Sequence, residues 1–138
     1  MATVIFHNPD CGTSRNVLAI IRASGTEPTV IEYLQTGWTE PQLLALFAAA
    51  DLTPATALRT SKSPAERLGL MDPDVTDATL LEAMLRHPIL VNRPIVCTPK
   101  GVALCRPSEN VLPLLEKPLT APVYKEDGTL IATPDAAD

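Results

Sequence analysis

The first 34 residues contain a strand, a helix and a second strand, and this order restricts the fold more than any other feature. Thr3 to Phe6 (TVIF) is β-branched and aromatic, as buried strands are. From about Ser14, apolar residues recur on one helical face, and Gly25 suits the position just past a helix end. Thr29 to Leu34 (TVIEYL) has strand character again. Strands joined by one short helix form a βαβ unit, so these two are predicted to be parallel.

The middle of the chain is predicted to be helical. Thr39-Glu40-Pro41-Gln42 has the spacing of a capping box, and an apolar stripe follows it. Residues 53–70 are interrupted by prolines and by Gly69, which predicts short helical turns. Thr76 to Arg86 has apolar residues at helical spacing and ends before Pro88, which cannot continue a helix.

The chain then returns to strand character. Pro94 to Thr98 (PIVCT) and Val102 to Cys105 (VALC) flank Pro99-Lys100-Gly101, a sequence typical of a hairpin turn. A last helix is predicted over about Ser108 to Leu115.

This order of elements predicts an α/β fold with a thioredoxin/glutaredoxin-like mixed four-stranded sheet. A helical insertion, about 39–87, is expected between strands two and three. Residues 1–117 are predicted to form a single domain, since 138 residues suffice for one core without metal or disulfide cross-links. Residues 118–138 are rich in Pro, Ala, Thr and Asp and are predicted to be a C-terminal tail, loose from Pro134 to Asp138.

Charge and hydropathy exclude several classes of protein. The net charge is −5 and no basic stripe is present, which argues against nucleic-acid binding. The start, MATVIFHNPDC, does not resemble a signal peptide, and no apolar run reaches the roughly 18 residues of a membrane span. A cytoplasmic location without membrane contact is therefore expected, and the three cysteines should be reduced there.

Cys11 is the cysteine placed to do chemistry, because it lies in the turn between the first strand and the first helix. Free N–H groups and the dipole of a helix start favour a thiolate, which is the nucleophilic form. His7 is expected beside the sulfur as a cation, and Ser14 is expected to donate a hydrogen bond to it. Alternatively, Cys11 only packs a turn and Ser14 only caps the helix. The combination of turn, histidine and serine favours the chemical role.

Ser14 also stands where a C-x-x-C pair would have its second cysteine, so an external thiol must resolve any intermediate formed on Cys11. Cys97 and Cys105 lie in apolar strands and are interpreted as packing residues. Arg15 and Arg22, on the first helix, are interpreted as surface residues.

Four segments resemble the glutaredoxin-like bacterial arsenate reductases. They are residues 7–16 (HNPDCGTSRN), 24–29 (SGTEPT), 87–96 (HPILVNRPIV) and 104–109 (LCRPSE). The resemblance extends from about Val4 to Leu115 and is looser over residues 35–75.

The resemblance implies that a reactive cysteine attacks arsenate while three arginines surround the oxyanion. It assigns a histidine that assists the thiolate, a serine at the helix start and glutathione and glutaredoxin as reductants, with no bound cofactor and no metal. Guanidinium groups suit arsenate, because they bind two oxygens at once and stay charged. The matching positions are Cys11, His7, Ser14, Arg59, Arg93 and Arg106. Thioredoxin-like proteins also carry a cis-proline facing the cysteine, which predicts a cis bond between Arg93 and Pro94.

Other functions are consistent with parts of this pattern. A monothiol glutaredoxin or related thiol-transferase also has Cys-Gly-x-Ser, but lacks the helical insertion and carries a glycine pair where this chain has only Gly101. A non-catalytic regulator on the same fold would need neither His7 nor the arginines. A phosphatase-like arsenate reductase is excluded, because its Cys-x5-Arg motif would require arginine where Val17 stands.

Overall fold

The computed structural model describes residues 2–125 and 127–134 and divides into two compact units. The described residues of Met1–Glu32 and Arg93–Asp138 form the sheet unit, and Tyr33–Asn92 form the inserted unit. Within the described residues, no helix has both the length and the apolar character that crossing a bilayer requires.

The sheet unit contains the predicted mixed four-stranded sheet, in the order β2-β1-β3-β4. Strands β1 and β2 are parallel, as the βαβ pattern predicts, whereas β3 is antiparallel to both β1 and β4. The elements of this part of the sheet unit are β1 (Val4–His7), α1 (Gly12–Ala23), β2 (Thr29–Glu32), β3 (Ile95–Thr98), β4 (Gly101–Leu104) and a 3₁₀ helix (Ser108–Leu114).

Helix α1 is held by its apolar face, and this determines where its first turn lies. Val17, Ile20 and Ile21 are fully buried in a core shared with Ile5 of β1. At the other end Gly25 has φ +93° and donates its N–H to the carbonyl of Arg22 (3.0 Å), a conformation that favours glycine. The start of α1 therefore lies directly after the end of β1, where Cys11 is its N-cap residue.

The second strand and the last helix differ from their predictions in extent and in type, respectively. Strand β2 ends at Glu32 rather than Leu34, since Tyr33 begins a helical turn. The predicted last helix is a 3₁₀ helix, Ser108–Leu114. Pro113 lies inside it and lacks an N–H group, so a regular α-helix is disfavoured there.

The inserted unit is helical, as predicted between strands two and three. It contains α2 (Tyr33–Thr36), α3 (Glu40–Ala49), α4 (Asp77–Arg86) and a 3₁₀ helix (Pro88–Leu90). The predicted capping box is confirmed, because Thr39 Oγ1 accepts from the Gln42 N–H and the Gln42 side chain accepts from the Thr39 N–H. Between α3 and α4 the chain makes turns, and Leu58 pairs with Val91 in an isolated antiparallel bridge.

The structure differs from the predicted tail over residues 118–134. Two short antiparallel strands form there, β5 (Val123–Tyr124) and β6 (Leu130–Ala132). Leu119, Val123 and Ala132 are buried in the core of the sheet unit. The few apolar residues of segment 118–134 are scattered among polar residues and prolines. The alternation of polar and apolar residues that marks a strand is therefore not visible in this part of the sequence. Of the segment predicted to be loose, residues 135–138 lie outside the described residues.

Truncation after Lys117 is expected to destabilise the protein, because it removes Leu119 and Val123 from the core. Burial of one leucine or valine contributes about 1.5–3 kcal/mol, so the free energy of unfolding should fall by about 3–6 kcal/mol. Urea denaturation of the truncated and complete chains measures this difference. A free tail would leave the midpoint unchanged.

Candidate active site

A short hydrogen-bonded loop between β1 and α1 places Cys11. The backbone carbonyl of Asn8 accepts a hydrogen bond from the Cys11 N–H (3.0 Å), and the side-chain Oδ1 of Asn8 accepts one from the Asp10 N–H (2.9 Å). The Asn8 N–H in turn donates to Ser14 Oγ (3.1 Å). Asn8 is buried, so it holds this loop from within. An Asn whose side chain accepts the N–H two residues further on is a known turn signal, so this role of Asn8 has a signal in the sequence.

Cys11 is the N-cap residue of α1 and is 6 % exposed. Burial by itself raises the pKa of the Cys11 thiol. The backbone N–H of Ser14, the charge of Arg93, and the hydrogen bond and charge of Arg106 all lower it. The lowering effects prevail, and the pKa lies below the ordinary value of a cysteine. The predicted thiolate at a helix start therefore has a physical basis in this structure.

Two arginines that are distant in sequence from Cys11 meet it in the sheet unit. Nη1 of Arg106 lies 3.6 Å from Cys11 Sγ and also donates to the Arg93 carbonyl (3.1 Å). Arg93 is buried and its charge acts on the sulfur, whereas Arg106 is exposed. The cis peptide predicted at Arg93–Pro94 is confirmed, and the Arg106–Pro107 bond is also cis.

His7 and Ser14 contact each other, and this changes the role expected for His7. His7 Nδ1 lies 2.6 Å from Ser14 Oγ, with the donor set by the tautomer. Burial lowers the pKa of His7 more than the nearby Glu32 carboxylate raises it, and Arg22 and Arg15 lower it further. His7 is therefore neutral near pH 7, and the expected cation beside the sulfur is wrong. The positive charges come from Arg93 and Arg106 instead.

Ser14 also acts differently from the expected hydroxyl donor. Its backbone N–H is the group that bonds to Cys11, while its Oγ joins His7 to the Asn8 N–H. All of these residues are buried. His7 and Ser14 thus tie the end of β1 to the first turn of α1. This arrangement favours a positioning role for both, and their catalytic role stays a prediction.

Arg59 belongs to the inserted unit, where it is buried. Its backbone N–H donates to the Leu90 carbonyl (2.8 Å), and its Nε donates to the Ser61 carbonyl (3.0 Å). Ser63 Oγ donates to the Arg59 carbonyl. The bond from Nε holds the guanidinium beside Ser61. Its participation in an oxyanion site stays a prediction.

The other two cysteines differ chemically from Cys11. Burial raises the pKa of Cys97, which is half-buried. Burial and the neighbouring Cys97 raise the pKa of the fully buried Cys105 to about 12. Both are protonated near neutral pH, which is consistent with packing residues. Among the described residues, no group of three or more His, Cys, Asp and Glu side chains is arranged to hold a metal ion.

The assembled site can attack an electrophile that carries negative charge. A thiolate is favoured at Cys11, and the guanidinium within reach of its sulfur can bind an anion presented to it. The charge of Arg93 acts in the same direction.

Comparison with known proteins identifies close relatives. The ArsC family model matches residues 6–119. The chain is 68% identical to arsenate reductase ArsI2 of Synechocystis sp. over 93% of this chain and 91% of that protein. It is 52% identical to the arsenate reductase of Escherichia coli K12 over 90% and 88% of the two chains. The solved arsenate reductase of Vibrio cholerae superimposes with a TM-score of 0.78 at 36% identity, covering 83% of this chain and 98% of that one.

Proposed function

This chain belongs to the ArsC family, and from that premise we propose that it reduces arsenate to arsenite, with Cys11 as nucleophile and glutathione and glutaredoxin as reductants. One observation carries the proposal most directly. The guanidinium of Arg106 lies 3.6 Å from a cysteine sulfur whose pKa is lowered at a helix start. A nucleophile and an anion-binding group thus share one site.

In the first step the Cys11 thiolate attacks arsenic. A sulfur–arsenic bond forms and a hydroxyl leaves as water after taking up a proton, so arsenic stays in the +5 state. Arsenate is an anion at neutral pH, and its approach to a thiolate is unfavourable unless cations offset the charge. Arg93 and Arg106 supply two such cations beside the sulfur. Arg59 is proposed as the third arginine of the oxyanion site, on the resemblance alone.

In the second step a glutathione thiol attacks the sulfur of the adduct. A disulfide forms between Cys11 and glutathione, and the sulfur–arsenic bond breaks with its electron pair left on arsenic. Arsenic is thereby reduced to the +3 state and leaves as arsenite, which takes the thiol proton. The thiols of the half-buried Cys97 and the buried Cys105 are protonated and poorly suited to this exchange. This supports an external thiol.

Glutaredoxin is proposed to restore Cys11 from its disulfide with glutathione. The glutaredoxin thiolate takes the glutathionyl group, and a second glutathione regenerates glutaredoxin with release of oxidised glutathione. The sum consumes two glutathione molecules for each arsenate reduced. Such a cycle requires a reducing compartment, so we place it in the cytoplasm.

A coupled assay tests this function and its reductant together. The complete protein is incubated with arsenate, glutathione, glutaredoxin, glutathione reductase and NADPH, and NADPH oxidation is followed. We expect oxidation that depends on arsenate, and loss of activity when thioredoxin and thioredoxin reductase replace the glutathione components. Activity only with thioredoxin would refute the reductant while leaving arsenate reduction intact.

The same mixture distinguishes the alternative functions. With glutaredoxin omitted, a thiol-transferase would accelerate NADPH oxidation with a small disulfide substrate, and it would show no dependence on arsenate. A non-catalytic regulator would be inactive with both substrates. Either result would refute the proposed function.

A further inference from the structure

A cavity of about 380 Å³ lies between the first two turns of α1 and the β5–β6 hairpin, entirely within the sheet unit. On the helix side it is lined by Gly12, Arg15, Asn16 and Ala19. These positions recur at the spacing of one helical face, so together they form one wall. With a rise of about 1.5 Å per residue, that wall is about 10 Å long. It begins at Gly12, the residue next to Cys11.

Charged groups of both signs line this cavity. Arg15 lies on the helix side, and Lys125 and Asp127 lie on the hairpin side. One guanidinium nitrogen of Arg15 donates to the Pro9 carbonyl (2.8 Å), which anchors Arg15 to the loop that carries Cys11. Asp127 Oδ1 accepts the Thr129 N–H (2.9 Å). Hydrogen bonds from Thr129 lower the pKa of Asp127, and its carboxylate stays ionised at neutral pH.

We propose that this cavity binds the γ-glutamyl arm of glutathione while the thiol lies at the Gly12 end, beside Cys11. This inference rests on the proposed function. The arm ends in a carboxylate and an ammonium group on one carbon. Arg15 and Lys125 match the carboxylate, and Asp127 matches the ammonium group. Among the described lining residues, two cations and one anion give an excess of positive charge, on a chain whose net charge is −5.

The dimensions and the apolar part of the lining agree with this ligand. The γ-glutamyl arm has a chain of methylene groups between its amide and its charged end. Ala19 and the half-exposed ring of Tyr124 offer apolar surface to that chain. The cavity volume also falls within the range of small-molecule sites, about 300–1,000 Å³. An arm anchored there would hold the thiol near the sulfur it attacks and raise its effective concentration.

The test isolates the glutathione step by omitting glutaredoxin. The complete protein is mixed with arsenate and one thiol, and arsenite release in a single turnover is measured with the Cys11 disulfide detected by mass spectrometry. Three thiols are compared: glutathione, γ-glutamylcysteine and cysteinylglycine. In the unaltered protein, the two thiols that carry the arm should react at lower concentrations than cysteinylglycine, by about tenfold for one charged contact.

Variants then test whether the preference for thiols with a γ-glutamyl arm depends on the cavity. Because the side chains are exposed, Arg15→Ala and Lys125→Ala should each raise the half-saturating glutathione concentration by about fivefold. Cysteinylglycine should react with these variants as it does with the unaltered protein. Arg22→Ala and Lys100→Ala are the matched controls, since both are exposed cations outside the cavity, and they should change nothing.

The outcomes separate the two proposals. If no thiol releases arsenite from the unaltered protein, the proposed function fails. If arsenite is released but all three thiols saturate alike, or the cavity variants keep the preference, the subsite is refuted while the function stands. Variants that impair only the glutaredoxin-dependent step would also refute the glutathione subsite, because the cavity would then contact the protein partner.

Discussion

Replacing Cys11 by serine is expected to reduce arsenate reduction to the background rate in a correctly folded protein. Serine keeps the shape of the N-cap residue and preserves the loop held by Asn8. Its hydroxyl does not ionise near neutral pH, however, and cannot form the proposed sulfur–arsenic bond, on which both later steps of the proposed cycle depend. The loss should therefore appear in the coupled assay and in single-turnover release of arsenite.

Matched cysteine variants provide the control for this prediction. Cys97→Ser and Cys105→Ala should keep most of the activity, because burial holds both thiols in the protonated form. Alkylation by neutral iodoacetamide gives an independent measurement. In the unaltered protein near pH 7, Cys11 should be labelled first, since its pKa is lowered and those of the other two are raised. Complete loss of turnover in a folded Cys97 or Cys105 variant would show that the nucleophile had been wrongly assigned.

Removal of the arginines should have the second largest effect. Arg93→Ala and Arg106→Ala are each expected to lower the kcat/KM for arsenate about tenfold to hundredfold, since a hydrogen bond from a charged donor contributes roughly 1.5–3 kcal/mol. Lysine at either position should restore activity only in part, because a point charge cannot bind two oxygens in a fork. Arg59→Ala should behave similarly if the resemblance assigns it correctly.

The same variants should also shift the reactivity of Cys11. Arg93 and Arg106 lower the pKa of this thiol, so their removal should raise it. A higher pKa leaves less thiolate at a given pH, and the pH profile of alkylation should move towards alkaline values. Arg22→Ala is the control, because Arg22 is exposed and forms an ion pair with Glu27 (3.1 Å). Unchanged kinetics and alkylation profiles in both alanine variants would place the oxyanion site elsewhere.

The N-terminal half of the site could be predicted because its contacts are local. The βαβ order, the helix start at Cys11 and the Asn8 loop involve residues only a few positions apart. Strand propensity, helix capping and turn chemistry act over this range, and all are visible in a single sequence. The capping box at Thr39 was predictable for the same reason.

The C-terminal hairpin was not predictable in this way. Strands β5 and β6 are two and three residues long, too short to show a clear alternation. Leu119 and Val123 are buried because they pack against the core of the sheet unit. The hairpin itself has no alternation of polar and apolar residues from which its strands could be predicted. The hairpin forms one wall of the cavity beside α1, so the cavity could not be predicted from the sequence either.

By itself, the sequence identified the candidate nucleophile and the type of fold around it. Cys11 follows a strand and begins a helix, and the backbone N–H that favours its thiolate belongs to Ser14, three residues further on. The tertiary structure alone decided which charges reach the sulfur. Arg106 lies 95 positions away and contacts it only because β4 pairs with β3 and β3 with β1, whereas the nearby His7 is neutral because folding buries it. The position of the site depends on contacts between residues that are close in sequence. Its electrostatics depend on burial and on long-range strand pairing, which the packing of the whole chain decides.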